Sequence, residues 1–136
     1  MSTNVLSSSQ IKREQHIINA KGKILGRLAV EVANKLTGKG KVNYVPYLDN
    51  GDFVSLTNAS LIKLTGKKPA QKKYTHHSGY PGGLRVETFD KLISRRPQEV
   101  ITHAVWGMMP KTKLGKAMIK RLKVFAGEEQ KQWQKK

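Results

Sequence analysis

The stretch of sequence that decides the fold covers residues 16–38 and reads HIINAKGKILGRLAVEVANKLTG. Its first five residues form a short apolar run with two β-branched isoleucines, which is typical of a buried strand. Gly22 ends that strand, and Gly38 is placed as the C-terminal cap of a helix. Between the two glycines, apolar residues recur at helical spacing, at Leu25, Leu28, Ala29, Val32, Ala33 and Leu36. The stretch therefore predicts a strand, a glycine turn and a helix.

A second strand follows the helix. Residues 49–52, Asp-Asn-Gly-Asp, have turn chemistry, and residues 53–57 form the next strand-like run. A strand-helix-strand order implies a parallel pair of strands with helices covering the sheet. We therefore predict an α/β fold.

The middle of the chain alternates short runs with loops. Residues 61–65 predict another strand, residues 66–73 a basic loop, and residues 74–77 a strand that returns beside residues 61–65 as a hairpin. Residues 78–83, Ser-Gly-Tyr-Pro-Gly-Gly, predict an exposed loop, because Gly and Pro disfavour regular structure.

Two helices are predicted next. Thr88 can cap a short helix that ends at Arg95-Arg96, with Phe89, Leu92 and Ile93 as its apolar residues. Pro97 suits the first turn of the following helix. The buried side of that helix is predicted to contain Val100, Ile101, Ala104, Val105 and Met108.

Residues 107–127 join the end of that helix to a basic segment. Pro110 disfavours helix at the residue before it, so a new helix is predicted to begin near Leu114. Its core face would contain Leu114, Ala117, Met118 and Leu122, at offsets of three, four and eight. Lys116, Lys120 and Lys123 would share another face, and no acid occurs between Glu99 and Glu128. Because like charges at this spacing repel each other, the lysines favour an external polyanion over a merely solvated face.

Composition points to the same class of partner. The 136 residues include 26 Lys and Arg against 9 Asp and Glu, giving a formal net charge of +17. Such an excess is typical of nucleic-acid binders, because each cation that neutralises a phosphate releases counterions. A membrane surface is the competing partner, but the basic residues are spread over many segments and no apolar run approaches the roughly 20 residues of a spanning helix. The chain has no cysteine, which excludes disulfides and thiolate chemistry.

We expect RNA to be contacted by residues in the basic loops and on the basic helix. Tyr74 and the histidine pair could stack on bases or contact phosphate and sugar, although Tyr74 could equally pack inward. The candidate RNA-binding residues are Lys39, Lys41, Lys67, Lys68, Lys72, Lys73, Tyr74, His76, His77, Arg85, Arg95, Arg96, Lys111, Lys113, Lys116, Lys120, Arg121 and Lys123.

Catalytic and metal sites are not indicated. The four histidines are scattered, and no zinc motif is present. Ser78 follows His77, but no supporting acid lies nearby. Gly22 and Gly26 lack the full G-x-G-x-x-G pattern of a dinucleotide site. We predict no catalytic residue, no metal and no cofactor.

Seven segments together resemble a known family. They are residues 22–29 (GKILGRLA), 49–52 (DNGD), 64–67 (LTGK), 76–83 (HHSGYPGG), 95–97 (RRP), 107–110 (GMMP) and 123–127 (KVFAG). In this order and spacing they resemble large-ribosomal-subunit protein thirteen in its bacterial form. The resemblance covers residues 11–127. One departure is that the family usually has an aromatic residue, commonly Trp, just ahead of the first strand, where this chain has Glu14, Gln15 and His16.

The resemblance implies a three-layer α/β/α fold with a small, mostly parallel sheet. It also implies a non-enzymatic structural protein that binds large-subunit ribosomal RNA (rRNA) and supports subunit assembly, beside neighbouring large-subunit proteins. We expect a cytoplasmic or organellar ribosome, no membrane and no small-molecule substrate. The expected organisation is a flexible arm over residues 1–10, one rRNA-binding domain over residues 11–127 and a charged tail over residues 128–136. The alternatives are a nucleotide-dependent doubly wound enzyme and a regulator that binds messenger RNA outside the ribosome.

Overall fold

A three-stranded parallel sheet lies at the centre of the computed structural model, which describes residues 6–128. Its strands are β1 (Gln15–Asn19), β2 (Phe53–Thr57) and β5 (Leu122–Val124), with β2 in the middle. Ile18 lies opposite Leu56, and Val54 lies opposite Leu122. The predicted parallel pair and the α/β fold with a small parallel sheet are confirmed.

Helix α1 (Leu25–Thr37) connects β1 to β2. All six apolar residues predicted for its inner face are buried. The helix ends at Gly38, whose φ of 77° lies in the left-handed region and whose N–H donates to the carbonyl of Asn34. The predicted cap is confirmed, and a side chain at position 38 would also collide with the backbone of Asn50.

Helices α3 (Phe89–Arg95) and α4 (Pro97–Met108) complete the core, and α4 packs against α1. Val100, Ile101 and Val105 are fully buried, as predicted. The assignment of Met108 to the core is wrong: its side chain is 45% exposed, whereas that of Met109 is 4% exposed. The helix ends at Met108. The backbone of Met109 is extended, and the side chain of Met109 rather than that of Met108 packs into the core.

The predicted strand over residues 61–65 is wrong. Asn58 adopts a left-handed conformation and starts a 3-10 turn, Ala59–Leu61, so that only Lys63 forms a bridge, to Ile24. The predicted hairpin partner is therefore wrong as well. Strand β3 (Lys73–His77) pairs instead with β4 (Leu84–Thr88), a strand that the sequence analysis missed. Gly79 and Gly82 have positive φ in the loop that joins them, and the predicted loop over residues 78–83 is confirmed.

Helix α5 (Lys113–Ile119) is shorter than predicted. Leu122 lies beyond it in β5, because the chain turns at residues 120–121 and pairs with β2. Met118 is buried as predicted, but Ala117 is exposed.

Two short helical turns remain. The basic loop contains one helical turn, α2 (Lys68–Gln71), and residues Ser8–Gln10 form a 3-10 turn. The predicted flexible arm falls outside the described residues at positions 1–5, and the predicted tail does so at positions 129–136. None of the helices formed by residues 6–128 has the length and apolar content needed to cross a membrane.

Candidate nucleic-acid interface

Ten of the eighteen predicted RNA-binding residues are exposed lysines or arginines without an ion pair among residues 6–128. They are Lys39, Lys67, Lys68, Lys72, Lys73, Arg85, Lys111, Lys113, Lys116 and Lys120. Exposed lysines and arginines without internal acids remain available to an external anion, and those of residues 67–85 are concentrated around one hairpin.

The basic loop is fixed at the root of that hairpin. The N–H of Lys72 donates to the carbonyl of Lys68 at 2.8 Å, which closes α2. The carbonyl of Lys72 then accepts from the N–H of Phe89 at 3.0 Å, where α3 begins. Phe89 is buried in the core, so these bonds tie the lysine-bearing loop to the folded domain.

The two faces of the hairpin differ in chemistry. Tyr74 lies opposite Glu87, and His76 lies opposite Arg85, so these four side chains share one face. Leu84 and Val86 lie on the other face and are 61% and 49% exposed. The polar face looks across a cleft of about 680 Å³ at α3 and α4, and the cleft is lined by Lys72, Lys73, Tyr74, Thr75, His76, Arg85, Glu87, Leu92, Arg95, Arg96, Glu99 and His103.

The cleft brings together seven of the predicted residues and adds others that sequence reasoning missed. Glu87 and Glu99 bind the two arginines of the cleft: Arg95 Nη2 lies 2.8 Å from both carboxylate oxygens of Glu87, and Arg96 Nη1 lies 2.7 Å from Glu99 Oε1. Glu99 could have been identified from the sequence, because it lies three residues after Arg96, a spacing at which opposite charges on a helix pair.

Tyr74 is half-buried and packs against the core, with its ring centroid 5.5 Å from that of His103 and nearly perpendicular to it. Lys72 Nζ lies 5.6 Å from the Tyr74 centroid. The phenol oxygen is buried and has no hydrogen-bond partner among the described residues. Burial raises the pKa of Tyr74, because the charged phenolate would be poorly solvated. The prediction that Tyr74 could pack inward therefore holds for the hydroxyl end of its side chain, which is buried.

Arg121 is not on an exposed basic face. Its side chain is buried, and its guanidinium donates to both carboxylate oxygens of Asp49, with 2.5 Å between Nη2 and Oδ1. It also donates to the carbonyls of Leu36 at 3.0 Å and Asp52 at 3.3 Å. Gly51 makes this possible, since a Cβ there would lie 2.7 Å from the guanidinium. Arg121 is thus compensated by an acid from a distant loop, and its placement among the uncompensated cations of the basic segment is wrong.

Asp52 forms a second internal site, with Lys41. Lys41 Nζ lies 2.5 Å from Asp52 Oδ1, His16 Nε2 lies 3.0 Å from Oδ2, and the N–H of Glu14 donates to Oδ1 at 3.0 Å. Burial acts to raise the pKa of Asp52, but the hydrogen bonds from Lys41, Glu14 and His16 and the charge of Lys41 outweigh it and lower the pKa. Glu14 through its backbone N–H and His16 through its ring thus both bind this carboxylate.

Ligand atoms of Glu14, His16 and Asp52 lie within 4.8 Å of one another, a spacing compatible with a metal ion. Both oxygens of Asp52 are already bound by the groups named above, and the ammonium of Lys41 supplies the positive charge. In the folded protein Asp52 therefore forms an ion pair with Lys41 and a hydrogen bond with His16.

The remaining predicted residues near the C-terminus lie in three different environments. Lys113, Lys116 and Lys120 are exposed on and just after α5, where Thr112 caps the helix through the N–H of Gly115 at 3.4 Å. Lys111 instead donates to the carbonyl of Trp106 and lies 4.3 Å from the centroid of its ring. Lys123 is half-buried in β5, so the predicted alignment of Lys116, Lys120 and Lys123 on one helix face is wrong.

His77 points away from the cleft-lining face. Its Nδ1 accepts from the N–H of Gly79 at 2.9 Å, which helps to fix the loop that follows.

Comparison with known proteins gives a consistent result. A family model described as ribosomal protein L13 matches residues 13–131. Large ribosomal subunit protein uL13 of Aeromonas salmonicida (strain A449) is 49% identical over 129 residues, covering 95% of this chain and 91% of the relative. The protein of the same name from Alkaliphilus metalliredigens (strain QYMF) is 47% identical over 128 residues, covering 94% of this chain and 90% of the relative.

Proposed function

The chain belongs to the ribosomal protein L13 family, and on that premise we propose that it binds large-subunit rRNA through its exposed lysines and arginines and supports subunit assembly. Members of this family are structural, non-enzymatic proteins of the ribosome, so the chain is a ribosomal protein and the enzyme alternative is rejected. Neighbouring large-subunit proteins are its other proposed partners, and residues 11–127 its single rRNA-binding domain.

The observation that carries the proposal is the separation of two kinds of basic residue. Lys41 and Arg121 are held by buried or half-buried carboxylates and stabilise the fold. Lys67, Lys68 and Lys73 are exposed, as are Lys113, Lys116 and Lys120, and no acid pairs with them within residues 6–128. Within residues 6–128, these unpaired cations therefore present their positive charge to the surroundings.

The proposed mechanism is neutralisation of phosphate repulsion. Lysines from the basic loop and from α5 would each pair with rRNA phosphates and release counterions, which allows RNA segments to lie closer together than their charges otherwise permit. Backbone contacts of this kind position a protein on RNA without reading its sequence. We leave Lys41 and Arg121 out of the proposed interface, because each has an internal partner, and we include Lys39, His77 and the exposed cations of the hairpin.

Sedimentation tests this function. A tagged chain expressed in cells should co-migrate with large ribosomal subunits on a sucrose gradient and should be released as the salt concentration rises. Migration only in the soluble fractions at low salt would contradict the proposal and would favour the messenger-RNA regulator.

A further inference from the structure

The cleft between the hairpin and helices α3 and α4 is larger than phosphate contact alone requires. Its volume of about 680 Å³ falls within the roughly 300–1,000 Å³ typical of sites that enclose small ligands. Leu92 is the only aliphatic residue among those that line it, and every other lining residue carries a polar or charged group. A ligand of this site should therefore be polar and about the size of a nucleotide.

The charge of the cleft favours an anion. Five lysines and arginines line it against two acids, and each acid is already bound by an arginine, Glu87 by Arg95 and Glu99 by Arg96. Lys72, Lys73 and Arg85 have no acid partner within residues 6–128. These three cations can bind a phosphate group.

The cleft also contains flat groups that neighbouring side chains restrain. Arg95 Nη2 lies 2.8 Å from both carboxylate oxygens of Glu87, which anchors that end of the guanidinium to the hairpin while leaving the side chain exposed. The rings of Tyr74 and His103 meet edge to face at 79°, so each restrains the other. Guanidinium and imidazole planes are surfaces on which unstacked RNA bases pack.

We propose that this cleft binds a single unstacked nucleotide of large-subunit rRNA. The phosphate lies against Lys72, Lys73 and Arg85, and the base lies against Arg95 and His103. This inference rests on the proposed rRNA binding and adds a specific contact to it, because the loop lysines elsewhere contact only the RNA backbone. Glu87 is a positioning residue that acts through Arg95.

The test is a titration of the full chain followed by NMR, with adenosine 5′-monophosphate and ribose 5-phosphate as probes. The nucleotide should shift the ring resonances of Tyr74 and His103 and should bind at least about fivefold more tightly than the sugar phosphate, because only it carries a base that can stack. Equal affinities would overturn the proposal in favour of a phosphate site. Shifts confined to other regions, or no shift at millimolar nucleotide, would also overturn it.

Variants separate the base contact from general charge. Combining Arg95→Gln with His103→Ala should abolish the preference for the nucleotide, whereas combining Arg27→Gln with Asn34→Ala on the exposed side of α1 should preserve it. Loss of the preference in both variants, or in neither, would contradict the assignment. A hexa-aspartate peptide that displaces the nucleotide at lower concentration would show instead that the cleft fits an acidic protein segment.

The same variants distinguish this inference from the proposed function. If the cleft shows no nucleotide preference while the native chain binds an rRNA fragment with a steep salt dependence, the cleft proposal fails and rRNA binding stands. If the native chain does not bind the rRNA fragment at low salt, the proposed function fails.

Discussion

Replacing Arg121 with methionine tests whether this residue stabilises the fold or binds RNA. The substitution keeps most of the side-chain volume but removes the charge and all hydrogen bonds to Asp49, Leu36 and Asp52. The side chains of Arg121 and Asp49 are 9% and 17% exposed, so the carboxylate left behind would be mostly buried. Arg13, whose Nη2 lies 3.8 Å from Asp49 Oδ2, can compensate only in part.

The expected loss is large for a single substitution. Removing one partner of a buried ion pair costs about 3–5 kcal/mol in the free energy of unfolding. For a domain of this size each kcal/mol lowers the Tm by roughly 3–4 °C, so the Tm should fall by about 10–20 °C. The matched control is Lys120→Met, which removes a positive charge from the adjacent, exposed residue and should change the free energy of unfolding by less than about 0.5 kcal/mol.

The assay is urea unfolding of the purified variants without RNA, followed by binding to an rRNA fragment. Arg121→Met should lose stability while the affinity of the folded fraction stays within about twofold, since we assign the residue no phosphate contact. Equal stability of the two variants, together with weaker RNA binding by Arg121→Met alone, would refute the assignment and restore Arg121 to the interface.

Three further predictions concern stability. Because the pKa of Asp52 is lowered in the folded protein, its contribution to stability is present above its unfolded pKa near 3.8 and is lost as pH falls through the lower folded value. Acid should therefore destabilise the native chain more steeply than the Asp52→Asn variant. Urea unfolding from about pH 6 to 2.5 measures this, and an equal loss of stability with falling pH in both proteins would contradict it. Tyr74→Phe removes a buried hydroxyl without a described partner, so the free energy of unfolding should stay unchanged or rise by about 1 kcal/mol, and a loss of more than about 1 kcal/mol would show that the hydroxyl is satisfied. Met118→Ala should cost about 2–5 kcal/mol of stability because the side chain is buried, whereas Ala117→Ser on the exposed side of α5 should cost little; similar losses would mean that the helix is oriented differently.

The parts of the fold that were predicted from sequence depend on local patterns. The six apolar residues of α1 recur within about three turns, and the cap at Gly38 follows directly, so a short window contains the whole signal. The same holds for Pro97 at the start of α4. A helix that buries one face has this periodicity whatever it packs against.

The errors arose where distant contacts decide the structure. Leu122 continues the spacing of the helix from Leu114, yet its pairing with Val54 in β2 places it in a strand. Arg121 looked uncompensated because its acid, Asp49, is 72 positions earlier in the chain. Strand β4 does alternate between apolar and polar residues, but its apolar side chains, Leu84 and Val86, face outward, so the pattern did not indicate a core strand.

The candidate site likewise contains residues that local sequence identifies and residues that only distant contacts bring together. The exposed lysines could be identified from sequence because no nearby acid opposes them. The cleft could not, because His103 in α4 and Glu87 in β4 meet Tyr74 only after the hairpin folds against the helices.

The central claim, that a defined set of exposed lysines binds rRNA phosphates, is tested most directly by salt-dependent binding to a large-subunit rRNA fragment. The measurement compares the native chain with Lys67, Lys68 and Lys73 changed together to Gln, and with a control of equal charge change at Lys21, Arg27 and Lys91. The first variant should bind more weakly, and its plot of log K against log salt should be shallower by about 2–3 units, roughly 0.7–0.9 for each phosphate that is no longer neutralised. The control should keep the native slope. Equal changes in both variants would mean that net charge alone binds the RNA, and would contradict the account.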